Sequence, residues 1–471
     1  MIRVIARKEL RELVRDGRFQ LGGALMVLLQ VAALLFGWRH TTAMQAERVA
    51  AQTVARSAWT TQGDKNPHLA AHYGMYVFKP AATLAFLDPG TDAFVGVTLK
   101  LQAHEQELPH DAAASDGTAV GRFGQLSAAA VLQLLVPLLI IALGFALWSG
   151  ERERGTLRQL AASGVHPRQL LAGKALGLGV ALLLLLLPAV LVAGLALAVG
   201  GDAGAWTRFA ALVPAYGLYF GVIIAVTLWV SARAASSRTA LVALLGLWCA
   251  TSLVVPRLAS DVAGRAVPLP TAEVLARRVH ATLAQGLPQG LPREEHIDKI
   301  SKALLAKQGF AGAESMMDDA LLQGLELQAE AEYENAVFDY HVTALLAAMA
   351  RQERVAQWAA ALSPLLAIRS LSMALAGTDF DHHRAFAQQA EQFRRSLVLA
   401  MNDDFARNAG AAGWQYKANR QLWQQAAPFA LQPPALGQVW ADQQVAWTML
   451  AAWMVAAGLG ATLAARRMQV V

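Results

Sequence analysis

The sequence is poor in charged residues and in cysteine. Of its 471 residues only 16% are charged, against about 25% in a soluble globular protein. A single cysteine, Cys249, excludes an intrachain disulfide, so any domain outside the cytoplasm has to fold on its apolar core alone. The sequence also lacks a nucleophile elbow and a zinc-protease motif such as His-Glu-x-x-His, which argues against an enzyme.

Uncharged apolar stretches fill much of the remaining chain. Six of them, each 17 to 26 residues long, contain no Asp, Glu, Lys, Arg or His. Roughly 20 apolar residues cross a bilayer as a helix, so the sequence predicts six transmembrane helices. The predicted spans are 19–38, 126–149, 175–200, 209–231, 240–256 and 445–465. Because ion-coupled carriers need ionisable groups in the membrane, these spans disfavour a secondary transporter. Cys249 lies in the fifth span and is interpreted as a buried, inert thiol.

Charge is distributed unevenly between the segments that the spans separate. Fifteen Lys and Arg against five Asp and Glu lie in 1–18, 150–174, 232–239 and 466–471. The remaining segments hold 25 basic and 29 acidic residues. Since basic segments next to spans stay in the cytoplasm, we expect both termini inside and segments 39–125 and 257–444 outside. The net charge of +6 follows from this topology and from anionic lipid, and it gives no reason to expect nucleic acid as a partner.

The two external segments are predicted to differ in structure. In 39–125, apolar residues alternate with more polar ones between Val95 and Leu101, which predicts a half-buried strand in a mixed α/β segment. Residues 41–57 are predicted to be helical, and 105–121 to be a polar loop.

Segment 257–444 is predicted to be mainly helical. One helix is expected within 314–361, and another from an N-cap at Thr378 or Asp379 to about Arg407. The predicted fold class is mainly α: a polytopic membrane protein with six transmembrane helices, an N-terminal interfacial helix, and a large, mostly helical extracytoplasmic domain with a small strand-containing part.

Residues 1–18 are predicted to form an amphipathic helix. One side is apolar at helical spacing, and an adjacent stripe is basic. This pattern suits a helix in the headgroup layer with its arginines on lipid phosphates; the alternative is a plain positive flank that sets the topology. The stripe comprises Arg3, Arg7, Arg11, Arg15 and Arg18.

The segment between the second and third spans, 150–174, is the most informative part of the chain. Charged residues end the second span, and Gly155-Thr156 then permit a turn and an N-cap. Leu157 and Leu160 give the following short helix an apolar face. A short amphipathic helix on a tight loop can dock into a groove of a partner; a solvated surface loop is the alternative.

Two motifs in this segment carry a resemblance to a known family. They are Glu-Arg-Glu-x-Gly-Thr-Leu at 151–157 and the later pair Gly164 and Gly173-Lys174. The sequence resembles the permease of type-2 ABC exporters. The resemblance implies an N-terminal interfacial helix, six spans, both ends inside, and a coupling helix that engages the ATPase subunit. By resemblance, the coupling region comprises Glu151, Arg152, Glu153, Gly155, Thr156, Leu157 and Leu160.

Further motifs in the external segments sharpen the resemblance. They are Tyr73-Gly74-x-Tyr76-x-Phe78-Lys79-Pro80, Leu87-Asp88-Pro89-Gly90, Ala103-His104, Ser363-Pro364, Ser370-Leu371-Ser372-Met373 and Gly377-Thr378-Asp379-Phe380-Asp381-His382-His383. They are similar to a bacterial branch with large periplasmic insertions, often labelled as the permease of a system for multi-copper enzyme maturation. This implies the bacterial inner membrane.

The chain has no recognisable ATP-binding loop. Such a loop would need Gly five residues before Gly173-Lys174 and Ser or Thr after it, but the sequence has Arg168 and Ala175. No cofactor is therefore expected in this chain. The resemblance implies ATP and Mg in separate ABC ATPase subunits, and a second permease chain, identical or homologous.

One cluster offers candidate metal ligands. Asp381-His382-His383, with Asp379 nearby, could bind a periplasmic metal. Adjacent residues on a helix point about 100° apart, so helix capping with a polar interface is the alternative. Three other histidines are scattered and are interpreted as structural: His104, His110 and His341.

These features predict a permease subunit that couples ATP hydrolysis in a partner ATPase to export of a substrate that the sequence does not identify. The alternative is a mechanical transmitter, which uses ATP hydrolysis to act on a periplasmic partner protein, for example during metalloenzyme maturation, without moving a solute. A membrane-bound enzyme is a third hypothesis.

Overall fold

The computed structural model describes residues 1–112, 126–308 and 319–467. Helices account for 78% of the structure, so the mainly α fold is confirmed. The helices, in chain order, are α1 Ile2–Arg15, α2 Gly23–Thr60, α3 Pro67–Tyr73, α4 Ala128–Ala130, α5 Val136–Gly144, α6 Ser149–Glu153, α7 Thr156–Ala162, α8 Pro167–Gly200, α9 Ala203–Arg233, α10 Ser237–Cys249, α11 Val255–Ala266, α12 Ala272–Gln285, α13 Arg293–Lys307, α14 Asp319–Trp358, α15 Pro364–Ala376, α16 Phe380–Asn408, α17 Arg420–Gln425, α18 Leu436–Asp442 and α19 Gln444–Arg466.

Among the described residues, six helical stretches are long and apolar enough to cross a membrane, which agrees with the predicted number. They are Arg18–Thr60, Ala128–Glu153, Pro167–Gly200, Ala203–Arg233, Ser237–Ala266 and Gln444–Arg466. Three of them contain a π-helical turn, at Arg18–Gly22, Val131–Leu135 and Ala250–Val254. The first stretch is much longer than the predicted span 19–38. Its helix runs on because no Gly or Pro occurs between positions 38 and 60 to end it.

The fourth span lies at the centre of the membrane bundle. In its apolar stretch of 18 residues, 56% of the residues are buried inside the protein, against 17% in the corresponding stretch of the fifth span. Glycines let its neighbours approach closely: a Cβ atom on Gly144 would lie 2.6 Å from the Thr227 side chain, and one on Gly460 would lie 2.8 Å from the Trp229 ring. The fifth span is peripheral, and Cys249 is exposed on its surface. The interpretation of this thiol as buried within the protein is therefore wrong, since apolar sequence buries a residue in the bilayer as readily as in a protein core.

A small antiparallel sheet forms part of the first external segment. Strands β1 Met75–Phe78, β2 Thr98–Gln102 and β3 Glu105–Gln106 pair in the order β1-β2-β3. Leu99 and Leu101 are buried and pack with Phe386 of α16. The predicted half-buried strand is thus present but begins at Thr98 rather than Val95. Most of the predicted loop 105–121 lies outside the described residues.

The second external segment is helical. Helix α14 lies within the predicted 314–361, although the predicted start falls outside the described residues. Helix α16 begins after Asp379, whose carboxylate accepts a hydrogen bond from the His382 amide at 3.0 Å, as the capping pattern predicted. Helix α15 packs against the membrane bundle. Its residues Ile368 and Leu371 are fully buried and belong to the same apolar cluster as the spans.

Candidate functional site

The predicted coupling region forms two short helices, α6 and α7, that meet at Gly155. This residue has φ +74°, a conformation that favours glycine, and Gly164 after α7 has φ +73°. Leu157 is 4% exposed and packs into the apolar cluster of the spans. Arg158 and Gln159 next to it are exposed. Helix α7 is therefore a short element that is buried on one side and exposed on the other.

Glu151 is not on this open surface but in a buried charge cluster. The ammonium group of Lys174, fully buried, lies 2.9 Å from carboxylate oxygens of both Glu9 and Glu151. Lys8 contacts the same two carboxylates at 3.1 and 3.0 Å. Burial lowers the pKa of the Lys8 ammonium group, but the two carboxylates outweigh this and raise it well above its usual value. The Trp148 ring closes the cluster, with its centroid 5.5 Å from Lys174 Nζ.

Helix α1 packs directly against the beginning of the third span. A Cβ atom on Gly173 would lie 2.5 Å from the Ile5 side chain, and one on Gly177 would lie 2.7 Å from the Glu9 side chain, so α1 approaches closer than larger residues would allow. The five arginines predicted to lie on lipid phosphates are all exposed. Their positions are consistent with a basic surface, while the opposite side of α1 holds the cluster around Lys174.

The next two residues of the predicted coupling region bind the ends of the fourth and fifth spans. The Arg152 guanidinium donates to the Ala232 carbonyl oxygen at 2.7 Å and to that of Ala234. The Glu153 carboxylate accepts from the backbone amide and from the hydroxyl of Ser237, both at 2.8 Å. Both Arg152 and Glu153 therefore connect α6 to the membrane helices.

On the opposite side of the membrane bundle, the external motifs converge on Asp88. The Ser372 hydroxyl donates to the Asp88 carboxylate and lies 2.9 Å from the Tyr216 hydroxyl, which in turn accepts from Gln133 at 3.0 Å. The Thr378 hydroxyl donates to the Asp88 carbonyl oxygen at 2.9 Å. Burial raises the pKa of Asp88. The network connects the second and fourth spans to both external segments.

The predicted metal candidates lie near this network, and two of them, His382 and Asp381, already contact other side chains. His382 contacts Asp379 through Nδ1 at 2.5 Å and Arg208 through Nε2 at 3.2 Å. The Asp381 carboxylate forms an ion pair with the guanidinium group of Arg384, one turn further along the same helix, at 2.7 Å. Burial, and then a nearby lysine, lower the pKa of His383 to about 4. These contacts favour the capping and interface interpretation, and the metal role stays a prediction.

A different group of histidines converges outside the six membrane-spanning stretches, in the segment predicted to be external. Within the described ranges, one group of three or more potential metal-ligating side chains is close enough to hold an ion: His68, His72 and His104, with ligand atoms within 4.8 Å of one another. Burial, and to a smaller extent the neighbouring His72 and His104 rings, lowers the pKa of His68 to about 4. A hydrogen bond to Glu334 raises the pKa of His104. The sequence interpretation of His104 as a scattered residue missed this group. The spacing of His68 and His72, one helical turn apart, was the available signal.

The comparison with known families decides the identity of the chain. Residues 3–401 match the family described as ABC-2 family transporter protein, more than four fifths of the chain. The chain belongs to the ABC-2 transporter family. No curated protein matches it at a significant level. This ABC-2 protein is thus a multi-pass membrane subunit with a permease role. Such subunits are normally non-catalytic, and the family implies partnership with ABC ATPase subunits.

Proposed function

We propose that the chain is the permease subunit of an ABC exporter in the bacterial inner membrane, with both termini cytoplasmic, and that α7 is its coupling helix. The observation that carries this proposal is the set of bonds made by residues 151–153. They join α6, which leads through Gly155 into the short, partly exposed α7, to the third, fourth and fifth spans and to α1.

These bonds support a mechanical route from a cytoplasmic ATPase to the spans. A displacement of α7 would be transmitted to α6 and would act on the third span through Glu151 and Lys174, which are both buried. It would act on the fourth span through Arg152 and on the start of the fifth through Glu153. Because charge-assisted hydrogen bonds are short and directional, the span ends would move with α7 instead of the loop deforming alone.

The distribution of charge supports the proposed orientation. The side that carries α1 and α7 is the basic side of the sequence, and basic residues next to spans stay in the cytoplasm. The exposed arginines of α1 would lie on lipid phosphates, while the opposite side of α1 packs on the third span.

The working unit would contain two ABC ATPases, which hold ATP and Mg, and a second permease chain. A single six-span chain makes half of a pathway in the family it resembles, so the second chain would be identical or homologous. The comparison gives no support to the alternative of a mechanical transmitter that moves no solute.

The test is the ATPase activity of the chain purified with its candidate ATPase. Gln159→Trp adds bulk to the open surface of α7 and should abolish co-purification. Glu153→Ala should keep assembly but reduce turnover, because it removes both bonds to Ser237. The control is Arg277→Ala, because the Arg277 side chain is 71% exposed and lies far from α7 in the chain. This variant should match the wild type. If both loop variants assemble and turn over like the control, the coupling role is wrong.

A further inference from the structure

Three histidine rings meet at one point of the external domain, on elements distant from α7. His68 and His72 are one turn apart on α3 and therefore lie on the same face of the helix. His104 occupies the two-residue turn between β2 and β3. The backbone amide of Ala103 donates to the Ala71 carbonyl oxygen at 2.9 Å, which holds that turn against α3.

The separation of the ring nitrogens matches metal coordination. His68 Nε2 lies 3.0 Å from His72 Nε2 and 3.4 Å from His104 Nε2. A tetrahedral ion with metal–nitrogen bonds of about 2.0–2.1 Å places its ligand nitrogens about 3.3 Å apart. Both of these separations suit ligands of a single ion, and one ligand atom of each of the three histidines lies within 4.8 Å of the others.

Features around the rings are typical of a built site. His104 has φ +64°, an uncommon conformation for a residue with a side chain. Its Nδ1 lies 2.8 Å from the Glu334 carboxylate of α14, and a carboxylate on the outer nitrogen orients a metal-ligating histidine. His68 Nδ1 is buried and, among the described residues, makes no hydrogen bond of ordinary geometry, although the Asn402 side chain lies beside it.

We propose that His68, His72 and His104 bind one late first-row transition-metal ion of the zinc and copper class. Three imidazoles suit such an ion, whereas calcium and magnesium prefer oxygen ligands. His72 is exposed, so a fourth coordination position would be open to water or to a ligand from outside. The ion would join α3 and the β2–β3 turn, and Glu334 would connect it to α14. This proposal does not depend on the coupling role of α7.

The test is metal binding by the purified full chain in detergent, with the affinity tag removed and resident metal stripped by a chelator. Co²⁺ serves as a spectroscopic probe, followed by competition with Zn²⁺, Cu²⁺ and Mg²⁺. We expect one Co²⁺ per chain, with the visible absorption of a low-coordinate nitrogen site, displaced by Zn²⁺ and Cu²⁺ but not by Mg²⁺. His72→Ala and His104→Ala should each weaken binding at least about 100-fold, and Glu334→Gln about 10- to 100-fold.

The matched control is His280→Ala, which removes an exposed histidine of α12 and should bind like the wild type. His72 is itself exposed, so His72→Ala should fold even if His104→Ala does not, and far-UV circular dichroism checks this. The proposal is overturned if the wild type binds no stoichiometric Co²⁺, or if folded His72→Ala binds it with unchanged affinity.

Discussion

Lys174 offers the sharpest test of the buried charge cluster that anchors the proposed coupling region. Its ammonium group is fully buried and lies 2.9 Å from carboxylate oxygens of Glu9 and Glu151. In Lys174→Met the side chain keeps roughly its length and shape, but both carboxylates remain buried without their main partner. Removing one member of a buried ion pair costs about 3–5 kcal/mol. We expect the free energy of unfolding to fall by about that amount.

Lys8→Met is the matched control for this substitution. Lys8 contacts the same carboxylates at 3.1 and 3.0 Å, but its side chain is 44% exposed. Exposed ion pairs contribute about 0–1 kcal/mol, so this variant should be close to the wild type. The assay is unfolding of the purified proteins in mixed detergent micelles, followed by tryptophan fluorescence.

A charge-free cluster completes the comparison. Combining Lys174→Met with Glu9→Gln and Glu151→Gln removes the uncompensated charges and should recover most of the lost stability, because replacing a whole buried ion cluster costs less than breaking it. The reasoning is refuted if Lys174→Met stays within about 1 kcal/mol of the wild type, or if Lys8→Met loses as much as Lys174→Met.

Three further predictions concern the external side of the protein. Gly90→Ala should lower the free energy of unfolding by about 1–3 kcal/mol, because Gly90 has φ +51° and the new Cβ would lie 2.4 Å from Thr378 Oγ1. The control is Gly63→Ala, where φ is +79° but no other atom is close. This variant should lose less stability in the same unfolding assay. Tyr216→Phe removes a buried hydroxyl that bonds to two side chains, and should cost about 1–3 kcal/mol; equal stability would contradict the network. Burial, with two nearby aspartates, raises the pKa of Glu353 from 4.5 to about 7. The folded state therefore holds this proton more tightly, and its stability falls as pH rises from about 4.5 through 7. Glu353→Gln should flatten that part of the pH profile, and an unchanged slope would contradict the assignment.

Local patterns predicted much of this fold. Six apolar stretches became six spans because the backbone of a membrane helix satisfies its own hydrogen bonds, so length and composition suffice. The helix N-cap at Asp379 and the strand whose apolar and polar residues alternate up to Leu101 were also predicted from neighbouring residues in the sequence. The resemblance predicted a coupling region at 151–160, but no sequence pattern showed that Glu151 would be buried while Gln159 is exposed.

The sequence by itself determined the number of spans and the class of fold. Only the tertiary structure decided which distant residues meet. Glu9, Glu151 and Lys174 are far apart in the chain, and their contact depends on how α1 packs on the third span. His68 and His104 meet for the same reason, since a turn between two strands has to be placed against α3. Periodicity reports the structure of one segment, whereas such contacts follow from the packing of several.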